Sequence, residues 1–383
     1  MKIDPYKHKE RYLKWKIKTE LGIPQISKDD SDLIKRYLLD MERGLNISSS
    51  SVKGPRGFNR LNSLKDRLIF FSRKFEELYN LNVITEISES QLIGFFTDMR
   101  NGVLVKENGQ DYKSSDTLAR IFKAFWHWYQ KTSKKNGVEI IDITSDLDTR
   151  GKKPEWVYLT ENEIRILCDN AKFEYKSLIM FLFDTGIRSP TELMNVKVSD
   201  FFNDFKELNI REETSKTFGR RIKIMFSSQY IKDYISIKSL KSEDYLFSIN
   251  PSITNQYLKR LAGRIFGDRT SPAGGKYSEL TMYDFRHCSC CYWLPRYKSE
   301  SALKFRFGWK KSDKIHYYSE MLGMRDTISE DDLLVDVTKT EIEKKLERSE
   351  NEKKIMQERM SLMELKLAEI MQVTEKMNLE VNA

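Results

Sequence analysis

Residues 307–321 read Phe-Gly-Trp-Lys-Lys-Ser-Asp-Lys-Ile-His-Tyr-Tyr-Ser-Glu-Met, and the fold turns on how they are read. Gly308 ends an apolar helix that the pattern predicts over residues 299–307, and Trp309 stands nine residues before Tyr318. Three segments lead up to this one. Residues 184–192 are Asp-Thr-Gly-Ile-Arg-Ser-Pro-Thr-Glu, where Gly186 supplies a turn and Arg188 falls between two predicted helices. Residues 215–221, Ser-Lys-Thr-Phe-Gly-Arg-Arg, put Lys216 at the tip of a strand pair. Residues 280–287, Leu-Thr-Met-Tyr-Asp-Phe-Arg-His, open an apolar helix with Tyr283, Arg286 and His287 near its start.

Around these segments the periodicity predicts mostly helix. Thr160 and Glu163 form a capping-box pair for a helix running to about Asn170. Helices are expected over 175–184, 253–266 and 281–292, with helix continuing over 192–196. Residues 208–211 and 221–226 alternate as strands about a polar turn. Upstream, apolar sets at helical spacing mark four more helices, over 31–41, 61–78, 91–99 (capped by Ser88) and 116–131. They carry Leu33, Ile34, Tyr37, Leu38 and Met41; then Leu64, Leu68, Phe71, Phe75 and Leu78; then Leu92, Phe95 and Phe96; then Leu118, Ile121, Phe122, Phe125, Trp126 and Tyr129.

Between the two blocks lies the polar stretch 140–154, IIDITSDLDTRGKKP, which reads as a linker. The expected organisation is a basic arm over 1–24, flexible or partly helical, a helical domain over 25–139, the linker, a second domain over 155–330 and a helical tail over 338–380. In the tail, positions 342, 346, 349, 353, 356, 360, 363, 367, 370, 374 and 377 step alternately by four and three, and eight of the eleven are apolar. That is a heptad seam, for self-association as a coiled coil or for helix docking. The alternatives are a single amphipathic helix lying on its own domain and a frayed charged helix.

The 383 residues hold 66 Lys and Arg against 57 Asp and Glu, a net charge of +9. Such a surplus points to a polyanionic partner, nucleic acid or an anionic membrane surface. No apolar run approaches the ~20 residues of a membrane span, and residues 1–18 have no apolar core of a secretory signal. Three of the four cysteines, Cys288, Cys290 and Cys291, crowd one segment, unlike a secreted disulfide framework. A reducing, intracellular setting follows, and the membrane recedes as a partner. With no second ligand pair elsewhere, these cysteines read as small buried hydrophobes rather than a zinc site. His8, His127 and His316 have no nameable partner in the sequence.

Cutting a phosphodiester without a metal needs a nucleophile, forked cations on the nonbridging oxygens and a proton donor for the leaving oxygen. Tyrosine, two arginines and a lysine supply these, and they occur here in order. In that order and spacing the chain resembles the tyrosine recombinase (phage-integrase) family, particularly archaeal integrases and Xer-type recombinases. The matching positions are Arg188, Lys216, Arg286, His287, Trp309 and Tyr318, and the likeness spans about residues 25–325. The implied fold is mainly α with a small β-hairpin or sheet: a helical core-binding (SAM-like) domain, an α+β catalytic domain and a long C-terminal helix.

The resemblance also implies roles. Arg188 and Arg286 would clamp the phosphate, with Glu192 supporting their geometry. Lys216 would protonate the departing 5′-oxygen. Tyr318 would form the 3′-phosphotyrosyl link, and Trp309 would donate its indole N–H to the phosphate. Three features depart from the family. Tyr283 stands where a histidine is usual, and a phenol with an ordinary pKa near 10 is a poor base at neutral pH. Glu192 lies four residues after Arg188 rather than three, with Pro190 between them. Tyr317 adjoins Tyr318, so only the spacing from Trp309 selects the nucleophile.

The implied activity is site-specific breaking and rejoining of double-stranded DNA at a recombination site, by a homo-tetramer on paired sites, with no metal, ATP or other cofactor. The setting would be cytoplasmic, on the nucleoid, with no membrane. Lys152, Lys153, Arg220, Arg221, Lys310 and Lys311 are the expected phosphate neutralisers. Two alternatives share the fold: a DNA-binding architectural protein with weakened catalysis, and a type IB topoisomerase-like swivelase.

Overall fold

The computed structural model describes residues 3–151, 153–297 and 299–321, together with 349, 350, 353, 356, 357 and 360. Lys152 and most of the predicted heptad seam lie outside the described residues. Residues 1–318 form one compact unit and 319–383 a second. In the second unit, Ser349, Glu350, Lys353, Met356, Gln357 and Met360 are helical.

All four predicted upstream helices form, each longer than its apolar pattern. They are α2 (Lys28–Arg43), α3 (Phe58–Tyr79), α4 (Glu89–Arg100) and α5 (Ser115–Lys135). Ser27 caps α2 by accepting from the Asp30 N–H, and Ser88 and Gln91 close a capping box on α4. Phe71, Phe75, Phe95, Phe122 and Phe125 are fully buried. Their rings meet mainly edge to face, as between Phe75 and Phe95 at 5.2 Å and 86°. Leu78 departs from its predicted face, at 43% exposure in the last turn of α3. Trp128, absent from the predicted set, is buried and donates its indole N–H to Asp40 at 2.8 Å.

The first 24 residues, expected to be flexible or partly helical, include a helix. Helix α1 (His8–Lys18) packs on α3, its Tyr12 is 1% exposed, and Asn62 donates to the His8 carbonyl at 2.8 Å. The stretch read as a linker is likewise tied down over its first part. Trp126 donates to Ile141 O and Gln130 to Ile140 O, each at 2.9 Å, while Lys123 reaches Thr144 O and Leu147 is buried.

The second half is built from α6 (Glu161–Asn170), α7 (Phe173–Thr185), α8 (Ser228–Lys238), α9 (Pro251–Phe266), α10 (Asp284–Trp293), α11 (Glu300–Phe307) and α12 (Asp313–Met321). Thr160 and Glu163 form the expected capping box. An antiparallel sheet runs in the order β1 (Phe201–Phe202), β2 (Glu207–Ile210), β3 (Arg220–Lys223), with Leu208 opposite Ile222 and Ile210 opposite Arg220. Strand β1 and helices α8 and α12 are additions to the sequence reading. The helix predicted over 192–196 is only a short 3-10 turn, Leu193–Asn195, closed by the Asn195 N–H on Glu192 O and the Val196 N–H on Leu193 O. Asp184, at the end of α7, accepts from the backbone N–H groups of Met225, Phe226 and Ser227 and so fixes the corner between β3 and α8. Among the described residues no helix is long and apolar enough to cross a membrane.

Candidate active site

Three consecutive residues join the predicted site. Phe307, Gly308 and Trp309 run from the end of α11 into the next loop. Arg286, on α10, donates from Nη2 to Phe307 O and from Nη1 to Gly186 O, both at 2.5 Å. Arg188, after α7, donates to Gly308 O at 2.6 Å, and Thr217 donates to the same oxygen at 2.8 Å. The Trp309 ring stacks on Tyr318, 5.9 Å between centroids and 13° from parallel. Gly308 has φ +61°, and a Cβ there would lie 2.9 Å from Arg220 Nη1 and 3.1 Å from Arg188 Nη1. Glycine is required for both its backbone conformation and its close approach to the guanidinium groups.

Beneath the arginines sits Glu192, 1% exposed. It accepts from Arg188 Nη1 at 2.6 Å, from Arg220 at 2.8 and 3.1 Å, and from the Ser215 hydroxyl at 3.0 Å. Burial alone would raise its carboxyl; the Arg220 and Arg188 guanidinium groups outweigh that and hold it at about 2. Glu192 thus holds Arg188 despite the extra residue of spacing, and its second guanidinium partner is Arg220 rather than Arg286. Arg286 is 4% exposed, and burial, with Arg188 beside it, pushes its guanidinium down to about 10. Arg188 and Arg220 share the Glu192 carboxylate, while Arg286 is held by backbone carbonyls instead, which leaves a local excess of positive charge. A guanidinium has five N–H donors, so Arg188 and Arg286 each keep N–H groups beyond those used here.

Arg220 corrects the sequence reading. Expected as a surface cation on DNA phosphate, it is 2% exposed, bound to Glu192, and donates through Nε to Arg306 O at 2.9 Å. Alternation along β3 turns Arg220 inward and its neighbour Arg221 outward. Arg221 is exposed, ion-paired with Glu207 at 2.5 Å and stacked over Phe202 at 4.2 Å. Lys153, Lys310 and Lys311 are exposed. Lys216 lies in the β2–β3 connection, also exposed. Its neighbours Ser215 and Thr217 are pinned to Glu192 and Gly308 O, so the loop that carries it is anchored at the arginine cluster. Arg306, which the sequence reading left out, is 2% exposed, paired with Asp184 and laid over Trp293 at 4.2 Å.

The two adjacent tyrosines have different surroundings. The Tyr317 hydroxyl accepts from Trp156 Nε1 at 2.7 Å and donates to Pro154 O at 3.2 Å. Tyr318 is 3% exposed, and its hydroxyl is hydrogen-bonded to His287 Nδ1. Burial raises its phenol pKa far above the usual value. Tyr283, at the N-cap of α10, is 47% exposed, and its ring meets His287 at 5.1 Å. Cys288, Cys290 and Cys291 are buried, and burial raises all three thiols. His127 pairs with Asp142 at 3.2 Å.

No family model and no curated protein matches the sequence. Solved structures do resemble it. The Tn1549 transposon integrase in complex with circular intermediate DNA is 16% identical, with a TM-score of 0.54, over 75% of this chain and 94% of that one. The fold is that of the tyrosine recombinases. A lambda integrase dimer bound to a COC′ core site is 13% identical, TM-score 0.52, over 81% of this chain and 79% of that one. The XerH site-specific recombinase bound to a palindromic difH substrate, in a post-cleavage complex, is 15% identical, TM-score 0.50, over 75% and 91%. At these identities the likeness is one of fold.

Proposed function

We propose that this chain is a site-specific DNA recombinase that cuts and rejoins duplex DNA through a 3′-phosphotyrosyl intermediate on Tyr318. The observation that carries the reading is the shared support of the two arginines and the tyrosine by Phe307–Trp309, above a single buried carboxylate. A phosphodiester against the unspent N–H groups of Arg188 and Arg286 would supply the negative charge that the cluster is short of. The same groups would hold the two further-charged oxygens of the transition state, where such donors act most strongly. Tyr318 Oη forms a bond to phosphorus as the bond to the 5′-oxygen breaks, and Lys216 gives that oxygen a proton. Trp309 offers its indole N–H to a nonbridging oxygen. Lys153, Lys310 and Lys311 would neutralise flanking phosphates.

Strand exchange follows when a 5′-hydroxyl from a second duplex attacks the phosphotyrosine, the bond energy having been kept in the covalent link. Paired sites and a homo-tetramer, on the nucleoid, complete the reading. Within the family, the Gly308-Trp309 to His316-Tyr317-Tyr318 pattern and the long tail favour the archaeal and Xer-type branch. In the domain assignment that goes with it, 25–139 binds the DNA core, 155–330 carries the chemistry and the tail assembles protomers. A second reading, a DNA-binding architectural protein, draws on the burial of Tyr318 and the phenol at 283.

The test is a nicked suicide duplex bearing a site selected from randomised sequences. A covalent adduct should form without metal, vanish in Tyr318→Phe with binding retained, and persist in Tyr317→Phe. An adduct lost in Tyr317→Phe and kept in Tyr318→Phe would move the nucleophile by one residue. Tight binding with no adduct would favour the architectural protein.

A further inference from the structure

We propose that His287 is the proton acceptor for Tyr318 in strand cleavage, an inference that rests on the recombinase reading above. The contact that carries it is direct: the Tyr318 hydroxyl meets His287 Nδ1. A phenol O–H donating to Nδ1 requires the ring proton on Nε2, which leaves Nδ1 as a base aimed at the reacting oxygen.

Position on α10 explains why this histidine serves. Tyr283 stands where the family has a histidine, half-exposed and a phenol itself. His287 comes four residues later, one helical turn along the same face. Its ring is held on two sides, stacked on Trp156 at 4.7 Å and 30° and met by Tyr283 at 5.1 Å. Trp156 is in turn fixed through its indole N–H to Tyr317. A buried phenol is cut off from bulk water as a proton acceptor, so an acceptor inside the site is what the nucleophile lacks.

Charge makes the base conditional on substrate. A bound phosphodiester adds negative charge beside it and favours the protonated ring at the moment of attack. In the step itself, the Oη–H proton passes to Nδ1, the oxygen lone pair bonds to phosphorus, the bond to the 5′-oxygen breaks, and that oxygen takes its proton from Lys216. Religation runs the transfers in reverse: the incoming 5′-hydroxyl gives its proton to Lys216 and His287 returns one to the departing tyrosine.

The experiment compares wild type, His287→Gln and Lys216→Ala on the selected nicked site, with oxygen or sulfur at the bridging 5′ position. Glutamine keeps a hydrogen-bond acceptor for Tyr318 but cannot take its proton, so cleavage should fall about 100-fold or more, with DNA binding retained. A sulfur leaving group needs no proton donor. It should restore Lys216→Ala and leave His287→Gln slow. Wild-type cleavage by His287→Gln, or its rescue by sulfur, overturns the assignment while leaving the recombinase reading intact. No adduct with wild type overturns that reading and the His287 role with it. Nitrogen-15 shifts of the DNA-free wild-type protein give a readout independent of cleavage: Nδ1 should be unprotonated, and a protonated Nδ1 overturns the proposal.

Discussion

Glu192 and Arg220 form a two-pronged ion pair with both side chains fully buried, Nη2 to Oε2 at 2.8 Å and Nη1 to Oε1 at 3.1 Å. The pair is the base on which Arg188 rests, since the same carboxylate also holds Arg188 Nη1 and its backbone N–H. Removing the anion would leave two guanidinium groups without their counter-charge. Glu192→Gln should therefore lower stability by about 3–5 kcal/mol, read as a fall in urea midpoint. The carboxyl lies lower in the folded chain, at about 2, than its ordinary 4.5. Its contribution is therefore complete above that ordinary value and is lost as pH drops toward 2. Wild type should lose stability over that window by more than Glu192→Gln does. Equal slopes in the two proteins would show that the pair contributes nothing.

Gly308→Ala tests the keystone differently. The new methyl meets Arg220 at 2.9 Å and Arg188 at 3.1 Å, in a left-handed backbone conformation with φ +61°. The backbone term alone costs about 1–2 kcal/mol, and the displaced guanidinium groups add to it. Adduct formation should drop by more than ten-fold while far-ultraviolet circular dichroism at 20 °C stays near wild type, about the result expected when geometry rather than folding is lost. A Gly308→Ala protein with normal cleavage would mean that the approach of the arginines to this turn is not needed.

Phosphate contacts at the rim should appear in the salt dependence of binding. Lys310 and Lys311 are exposed in the turn that leads from Trp309 to α12. If both touch phosphate, the double alanine variant should lower the slope of log affinity against log salt by about 1.8, at roughly 0.9 per contact. Arg220, enclosed with Glu192, should leave the slope unchanged in any variant that still folds. An altered slope for Arg220→Met and none for the lysine pair would reverse the assignment of surface and interior cations.

Much of this was legible in the sequence, for physical reasons that particular residues make plain. The Thr160–Glu163 and Ser88–Gln91 boxes announce helix starts because the caps are local hydrogen bonds. The Phe-rich faces of α3 and α5 show at helical period because one side of each is buried. What stayed hidden depends on partners far along the chain. Residues 228–238 bury only Ile231 and Tyr234, too few to set a period, and the start of α8 is fixed by Asp184 more than forty residues away. Strand β1 is two residues long. Arg220 looks like any basic surface residue until strand alternation from Arg221 is followed, and that would have turned it inward. The roles of the two tyrosines are separated by Trp156 and Pro154 on one side and His287 on the other. None of these is a neighbour in sequence.

Trp309 offers the sharpest separation of packing from chemistry. Its ring lies parallel to Tyr318 at 5.9 Å, stacks on Phe307 at 5.0 Å and stands 5.9 Å from the Arg286 guanidinium carbon. Trp309→Phe keeps an aromatic face for both neighbours and removes only the N–H donor. A hydrogen bond to a charged group is worth about 1.5–3 kcal/mol, so losing one made to the phosphate should slow adduct formation by roughly 10- to 150-fold, with little change in melting temperature. Trp309→Ala removes the stack as well and should lower both. Trp309→His restores a ring N–H and should recover part of the rate that phenylalanine loses. If phenylalanine cleaves as well as tryptophan while alanine does not, the indole positions Tyr318 by packing alone, and the phosphate must be held by the arginines without it.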